Sequence, residues 1–180
     1  MLLVVDNGSI YTENLINFLN EKNFLFEKQT PPLLNMDFIS QYDSFILSGR
    51  RKNEKKINEI NSKIIRHSIE NNKKLLGICY GAEILALTLG GTIKKTSILQ
   101  KGNESIQTLL DNPLCSDSFD VFESHAFEIS KLPLDLVSLA QSKNCKYEII
   151  QYKKRLIFGT QFHPEMSKDG NKLIEKFCLL

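Results

Sequence analysis

A cysteine flanked by glycines at a distance of two residues lies near the middle of the chain, where residues 77–81 read GICYG. It follows the apolar run 75–78 and precedes a largely apolar stretch, so we expect Cys79 at a strand-to-helix turn. This is the cysteine form of the G-x-S-x-G nucleophile elbow, in which larger flanking side chains would collide. At a helix N-terminus the dipole stabilises a thiolate, and free backbone N–H groups can receive an oxyanion. The alternative is a structural cysteine packed between two glycines.

A histidine and a glutamate two residues apart supply the partners that such a nucleophile needs. Residues 158–165 read FGTQFHPE, which ends a predicted strand at His163 and Glu165. In an extended chain residues i and i+2 point to the same side, and Pro164 disfavours helix at His163. Glu165 can then hold one imidazole nitrogen while the other faces the nucleophile. We therefore predict a triad of Cys79, His163 and Glu165.

The elements that must position these residues follow from the apolar pattern. In the first half, buried strands are predicted at 2–5, 24–26, 45–47 and 75–78, and helices at 12–22, from Ile57 to about Asn71, and from Cys79 to Gly90. Strands that are apolar on both faces require a parallel sheet covered by helices on both sides.

Past residue 91 the pattern changes. Segments near 92–95, 104–110, 119–125, 136–141, 147–152 and 156–161 predict strands joined by short turns, and a helix from about Gly170 to Cys178 closes the chain. This half is predicted to be an antiparallel or mixed extension of the same sheet. We expect one compact domain over residues 1–180.

Composition narrows the class of protein. The chain has 180 residues, 42% of them hydrophobic and 24% charged, with a net charge of +2, which is too small to argue for a nucleic-acid partner. No apolar run approaches the roughly 20 residues of a membrane span, and there is no charged leader. We therefore expect a cytoplasmic protein with no membrane partner. The four cysteines lack the short paired spacing of metal sites, so free thiols, no metal and no cofactor are expected.

At these residues the chain resembles the class I glutamine amidotransferases. Residues 76–81 (LGICYG) resemble the family's nucleophile motif, residues 159–165 (GTQFHPE) its His/Glu motif, and residues 47–49 (LSG) the start of its oxyanion strand. The resemblance implies a three-layer, flavodoxin-like α/β fold with a mostly parallel central sheet and an antiparallel extension.

The same resemblance implies an activity and a set of site residues. Glutamine would be hydrolysed to glutamate and ammonia through a thioester on Cys79, and the ammonia would pass to a separate ATP-dependent synthetase subunit. The implied oxyanion donors are the backbone N–H groups of Tyr80 and Arg50, and Gly49 is implied to bind substrate.

Two departures from the family pattern bear on the substrate. The family reads LSGGP where this chain has Arg50 and Arg51 after Gly49, so the oxyanion donor must suit a residue with a Cβ. The family has glutamine four residues after the cysteine, where this chain has Glu83, one helical turn on and facing the same pocket. A carboxylate there can pair with the substrate's α-amino group but repels its α-carboxylate. The substrate is predicted to be glutamine bound differently, or a γ-glutamyl relative.

Signals of the subfamily conflict. Residues 6–12 (DNGSIYT) and 123–126 (ESHA) resemble the amidotransferase domains of GMP synthetases, where His125 would face the partner. The alternative is that His125 is a loop residue whose ring is simply hydrogen-bonded within the chain and has no functional role. Residues 102–106 (GNESI) resemble instead the glutamine-holding loop of anthranilate synthase components, which would make Gly102, Asn103 and Ser105 substrate-binding. We favour the free-standing amidotransferase subunit of the GMP synthetase type.

A basic run occupies residues 50–56, in which only Glu54 opposes the positive charges. It begins at the end of the predicted oxyanion strand, so Arg51 and Lys52 either face an acidic partner or keep a loop solvated. Three functions remain open: an amidotransferase subunit serving a separate synthetase, a stand-alone hydrolase of γ-glutamyl compounds, and a regulatory module that retains the triad.

Overall fold

Nine strands form one sheet in the computed structural model, which describes residues 1–180. The strands are β1 (Leu2–Val5), β2 (Phe26–Gln29), β3 (Ser44–Leu47), β4 (Lys74–Ile78), β5 (Thr92–Thr108), β6 (Ser118–Lys131), β7 (Leu136–Gln141), β8 (Ile149–Tyr152) and β9 (Ile157–Thr160). Their spatial order is β2-β1-β3-β4-β9-β8-β7-β5-β6. The strands from β2 to β9 in this order run parallel, and the others add an antiparallel extension.

Four α-helices cover the sheet: α1 (Thr12–Glu21), α2 (Lys55–Glu70), α3 (Tyr80–Thr88) and α4 (Lys168–Leu179). Short 3₁₀ helices lie at Pro31–Leu33, Met36–Gln41 and Pro164–Met166. None of the helices has both the length and the apolar character needed to cross a lipid bilayer.

The core lies on both faces of the sheet because side chains alternate along each strand. In β1, Leu2 and Val4 pack with α1 and α4, whereas Leu3 and Val5 pack with α2 and α3. All four side chains are almost completely buried. The result is a three-layer α/β fold with a parallel sheet and an antiparallel extension, as predicted.

Two predictions of local structure were wrong. The second strand lies at Phe26–Gln29 rather than at 24–26. Because β2 is a half-buried edge strand, it tolerates polar residues. The apolar run at 24–26 therefore does not coincide with the strand. The segments predicted at 92–95 and 104–110 are parts of one strand, β5, which ends at Thr108. It pairs with β6, with shifts of register between Thr92 and Ile93 and between Lys95 and Gln100.

The sheet brings the cysteine motif (residues 77–81) and the His/Glu motif (residues 159–165) to one edge. Strands β4 and β9 are parallel neighbours, and Ile78 is the register partner of Thr160. Cys79 follows β4 directly, and His163 follows β9 by three residues. Because the carboxyl ends of parallel strands share one edge of a sheet, both residues stand where α/β proteins bind ligands.

Candidate active site

Cys79 occupies a strained backbone position at the turn from β4 to α3. Its φ is +50° and its ψ is −101°, a conformation that L-residues rarely adopt. A Cβ on Gly77 would lie 2.4 Å from backbone atoms of Gly81, and one on Gly81 would lie 2.4 Å from the carbonyl oxygen of Leu47. Both glycines are therefore required by the packing of the turn. This geometry matches the nucleophile elbow predicted from the sequence.

The surroundings of the Cys79 thiol act on its pKa in opposite directions. Burial raises the pKa of the thiol well above its ordinary value, and nearby carboxylates, that of Glu83 first, add to the increase. The backbone N–H of Tyr80, at the start of α3, acts in the opposite direction but is outweighed. Desolvation of the charged sulfur therefore opposes the predicted stabilisation by the helix N-terminus. Cys79 is held as a thiol until a base removes its proton.

His163 is fixed from several sides. Its Nδ1 lies 2.8 Å from Oε1 of Glu165, and both side chains are buried. The backbone N–H of His163 donates to the carbonyl oxygen of Phe122 at 2.9 Å, and the Tyr11 ring packs against the imidazole with centroids 4.6 Å apart. Since a carboxylate only accepts, Nδ1 carries the proton, and Nε2 is left as a base.

The route by which Glu165 reaches His163 differs from the predicted one. His163 itself is extended, with φ −99° and ψ 91°, but Glu165 belongs to the 3₁₀ turn at Pro164–Met166. The predicted contact therefore forms through a tight turn rather than along an extended chain. Close packing holds this turn, since a Cβ on Gly170 would lie 2.3 Å from the carbonyl oxygen of Pro164.

Cys79 and His163 open onto the same cleft. One lobe of the cleft is lined by Ser9, Ile10, Tyr11, Arg50, Arg51, Cys79, Ser124 and His163. An adjoining lobe shares Arg50, Arg51, Cys79 and Ser124 and adds Glu83 and His125. Gly49 lies against the histidine, because a Cβ there would be 2.9 Å from Cε1 of His163. The cleft thus brings Cys79 and His163 together with two of the five predicted substrate residues, Gly49 and Glu83.

Arg50 fits the position that the family gives to glycine. Its φ does not fall in the positive range, so its backbone N–H suits a residue with a Cβ. The guanidinium lies 4.1 Å from the centre of the Tyr80 ring and donates to Oδ1 of Asn58 at 3.0 Å. The hydroxyl of Tyr80 donates to the same oxygen at 2.7 Å. Arg50 is therefore anchored on α2 and α3, whereas Arg51 and Lys52 are exposed.

Glu83 lies where the sequence placed it, in the wall of the cleft. Its side chain is buried, and the residue is 5% exposed. Burial raises the pKa of Glu83, while Arg50, Gln161 and His125 act to lower it. The cleft therefore contains a carboxyl group whose charge depends on its cationic neighbours.

His125 does not lie at the rim facing outward, as its predicted partner role required. The residue belongs to β6 rather than to a loop, and its side chain is 1% exposed. Nε2 lies 3.0 Å from Oε2 of Glu123, and Nδ1 lies 2.8 Å from the carbonyl oxygen of Phe127. The prediction is corrected because alternate residues of β6 share its buried face. His125 contacts the cleft from inside.

Residues 102–105 are not placed as a glutamine-holding loop. Gly102, Asn103 and Ser105 belong to β5 and pair with β6, and the last two are exposed. None of the three lines either lobe of the cleft. The segment resembles a glutamine-holding loop in sequence, but its pairing with β6 in a long hairpin makes it a strand.

Two residues of the site, Tyr11 and Asn58, were not among the predicted site residues. Tyr11 packs on His163 from more than 150 positions away and donates to Oγ of Ser124 at 3.2 Å. Asn58 links Arg50 to Tyr80. These contacts join distant segments, so no local spacing predicts them. Only the similarity of residues 6–12 to a known motif pointed toward Tyr11.

Comparison with known proteins identifies relatives over almost the whole chain. Residues 3–179 match the family described as glutamine amidotransferase class-I. GMP synthase of Aliivibrio fischeri is 28% identical over 185 residues, which cover 99% of this chain and 35% of that protein. The glutamine-hydrolyzing GMP synthase subunit of Methanocaldococcus jannaschii is 29% identical over 188 residues, which cover 99% of this chain and 96% of that protein. The chain thus spans about a third of the length of the former and nearly all of the latter.

Solved structures with the same fold cover almost the whole chain as well. A Thermoplasma acidophilum protein named for a GMP synthase subunit superposes with a TM-score of 0.86 at 26% identity, covering 98% of this chain and 91% of that one. A glutamine amidotransferase of Thermotoga maritima shares the fold, with a TM-score of 0.77 at 19% identity over 97% of this chain and 80% of that one.

Proposed function

The chain belongs to the glutamine amidotransferase class-I family, and on that premise we propose that it hydrolyses glutamine to glutamate and ammonia with Cys79, His163 and Glu165. One observation carries the proposal. A cysteine on a strained turn and a histidine held by a carboxylate at 2.8 Å open onto one cleft. This is the arrangement of nucleophile, base and orienting group that acyl transfer needs.

The first half of the reaction forms a thioester. Nε2 of His163 takes the thiol proton as the sulfur of Cys79 attacks the carboxamide carbon of glutamine, and the carbonyl electrons move to oxygen. The backbone N–H groups of Tyr80 and Arg50 donate to this oxyanion, where one donor is worth ~10²–10³ in rate. The C–N bond then breaks, His163 returns the proton to the departing nitrogen, and ammonia leaves.

The second half releases glutamate. His163 removes a proton from water, which attacks the thioester carbon, and the C–S bond breaks. His163 then reprotonates the sulfur of Cys79, so the enzyme returns to its starting state. The raised pKa of Cys79 favours this last step, because burial disfavours the free thiolate.

The ammonia is proposed to serve a separate ATP-dependent synthetase of the GMP synthase type. The similarity to glutamine-hydrolyzing GMP synthase subunits over nearly their whole length supports this assignment. Arg51 and Lys52 support a contact surface, since both are exposed and both line the lobe of the cleft that holds Glu83. An acidic partner surface there would offset the repulsion of the basic run.

Ammonia release from glutamine tests the proposal directly. The protein is assayed with and without a candidate synthetase, its ATP and its acceptor. We expect release that depends on Cys79 and rises when the synthetase is present. Cys79→Ala should abolish release, whereas the matched variant Cys115→Ala should retain it, because Cys115 lies outside the cleft. Equal release by Cys79→Ala would contradict the proposal.

The second candidate is a stand-alone hydrolase of γ-glutamyl compounds. It is favoured by Glu83, which places a carboxyl group in the cleft where the family has an amide. This candidate predicts that γ-glutamyl compounds other than glutamine are cleaved faster than glutamine. A synthetase should then have no effect on the rate. The leading proposal predicts the reverse order and a stimulated rate.

A further inference from the structure

The loop after β3 is closed at its base by hydrogen bonds between side chains. Arg50 and Asn58 flank residues 51–57, and Nη1 of Arg50 donates to Oδ1 of Asn58 at 3.0 Å. The same nitrogen donates to Oδ1 of Asn53 at 2.5 Å, and Nδ2 of Asn58 donates to that oxygen at 3.0 Å. The two ends of the loop are therefore joined to each other and to one residue between them. The proposed mechanism assigns no role to Asn53 or Asn58.

Tyr80 fixes this closed loop to the helix of the nucleophile. Its hydroxyl donates to Oδ1 of Asn58 at 2.7 Å, and the Arg50 guanidinium lies 4.1 Å from the centre of its ring, a cation–π contact. Tyr80 follows Cys79 and is the first residue of α3. We call Arg50, Asn53, Asn58 and Tyr80 the clasp. A glycine at position 50, as in the family pattern, has no side chain with which to form it.

A second network holds the residues just before Arg50. The backbone N–H of Asn7 donates to Oγ of Ser48 at 2.9 Å, and Nδ2 of Asn7 donates to the carbonyl oxygen of Ser48 at 3.0 Å. Asn61 donates to Oδ1 of Asn7 at 2.7 Å, and all three residues are at most 5% exposed. Asn58 and Asn61 lie three residues apart, on one face of α2. This face therefore holds Arg50 directly and Ser48 through Asn7.

The backbone of Arg50 is held where the proposed mechanism needs a donor. Its neighbour Gly49 lies against His163, and Arg50 lines both lobes of the cleft together with Cys79. Arg50 lies opposite Gly8 in an isolated antiparallel bridge, yet its backbone N–H donates to no atom of the chain within hydrogen-bond distance and angle. This N–H is therefore free to meet the oxyanion.

We infer that Asn58 is a positioning residue, which acts through Arg50 and, with Asn53 and Tyr80, fixes the oxyanion donor before any synthetase binds. The inference rests on the proposed function and concerns the regulation of its site. The donor is worth its full effect only if it is already in place when charge develops on the substrate oxygen. The clasp supplies that order from within the chain.

The clasp also limits what a docked partner can change. Arg51 and Lys52, the proposed contact residues, lie between the two fixed ends of the loop. A partner that binds them meets a loop whose base is already closed. The chain alone is therefore expected to hydrolyse glutamine with its donor formed, and the synthetase raises ammonia release by a route other than forming this donor.

Steady-state hydrolysis of glutamine by the full chain without synthetase tests the role of Asn58. Asn58→Leu removes the amide at similar volume and should lower kcat by about tenfold or more, within the ~10²–10³ that one oxyanion donor is worth. KM should stay within about twofold, because the donor acts in the transition state and not on bound substrate. Glu59→Leu is the matched control, since Glu59 is exposed and its only ion pair is with Lys55. Both constants should be unchanged in it.

Two conservative variants give a ranking that a general loss of stability would not follow. Asn58→Asp keeps an oxygen for the donors of Arg50 and Tyr80, so kcat should stay within about threefold of the unmodified chain. Tyr80→Phe removes one hydroxyl and keeps the ring under the guanidinium. Its kcat should fall between those of Asn58→Asp and Asn58→Leu.

Hydrogen exchange measures the order of the loop without turnover. The backbone amides of the peptide spanning residues 48–58 should exchange about fivefold faster or more in Asn58→Leu, because the base of the loop is opened. Asn58→Asp and Glu59→Leu should keep the original rate. Peptides from the rest of the sheet should be unchanged in all three variants.

Three results would overturn the inference while the proposed function stands. The first is a chain that is silent alone but releases ammonia once the synthetase is added, since its donor is then not formed in advance. The others are an unchanged kcat in Asn58→Leu and an unchanged exchange rate in its loop. If Asn58→Leu does not fold, Tyr80→Phe decides by the same two measurements. Absence of ammonia release both with and without the synthetase would overturn the proposed function and the inference with it.

Discussion

The backbone N–H of Cys79 donates to the carbonyl oxygen of Thr160 at 2.7 Å. This bond joins the nucleophile's turn to the last residue of β9, the strand that leads to His163. The register of β4 on β9 therefore sets the position of the nucleophile relative to its base. A displacement of either strand end would separate the two groups, and misplacement by about 1 Å can cost ~10²-fold in rate.

The turn at Cys79 should not tolerate a methyl group on its flanking glycine. Gly81→Ala would place a Cβ 2.4 Å from the Leu47 carbonyl oxygen, so we expect a loss of about 1–3 kcal/mol in the free energy of unfolding. Ammonia release should fall with it because the thiol moves. Denaturant unfolding and the release assay measure both effects.

Gly90→Ala is the control for this substitution. Gly90 has a φ of +94°, but a Cβ there would meet nothing within 4 Å. It should cost only backbone strain, about 1 kcal/mol, with activity kept. If Gly81→Ala leaves the free energy of unfolding unchanged, the turn can accommodate a Cβ at this position, contrary to the distances in the structure.

His163 and Glu165 should contribute unequally. His163→Ala removes the base and should lower the rate by ~10²–10⁴. Glu165→Gln leaves an imidazole that is badly oriented but able to move protons, so it should retain more activity. Steady-state ammonia release by the two variants gives the ranking. The opposite ranking would mean that the roles are assigned wrongly.

The thiol of Cys79 should react slowly with simple alkylating agents at neutral pH. Its pKa is raised by burial and by nearby carboxylates, so the thiolate fraction is small below that pKa and grows as pH increases. The rate of iodoacetamide addition to Cys79, followed by peptide mass spectrometry, should rise through the alkaline range without a plateau below about pH 9. A rate that is already maximal at neutral pH would contradict this account of the site.

Charge reversal at the exposed residues Arg51 and Lys52 should weaken binding of the synthetase without changing the rate of glutamine hydrolysis in its absence. Arg51→Glu with Lys52→Glu should abolish the increase in ammonia release that the synthetase causes, while the basal rate is kept. The matched control is reversal at Lys153 and Lys154, which lie in the turn before β9 at the opposite edge of the sheet. Equal loss of stimulation in both double variants would assign the effect to net charge alone.

The sequence predicted those features that local patterns encode. The glycines around Cys79 predicted the strained turn, and the apolar runs predicted the parallel half of the sheet. The His163–Glu165 spacing predicted their contact, although the 3₁₀ turn that makes it was not foreseen. Turn geometry of this kind depends on tertiary packing, such as that of Gly170 on Pro164.

Contacts between distant segments were outside the reach of local patterns. Strand β5 pairs with β6 over most of its length, which no local spacing encodes. The same pairing turned His125 inward and placed residues 102–105 on an exposed strand face. Short motifs cannot predict which face of a strand is buried until the pairing of that strand is known.

Covalent labelling with an electrophilic glutamine analogue tests the central claim most directly. The analogue must occupy the cleft as glutamine does and then meet the nucleophile. Peptide mapping should find its added mass on the peptide that contains Cys79, with Cys115, Cys145 and Cys178 unmodified, and an excess of glutamine should protect Cys79. Labelling at another cysteine, or full turnover by the Cys79→Ala protein, would contradict the account.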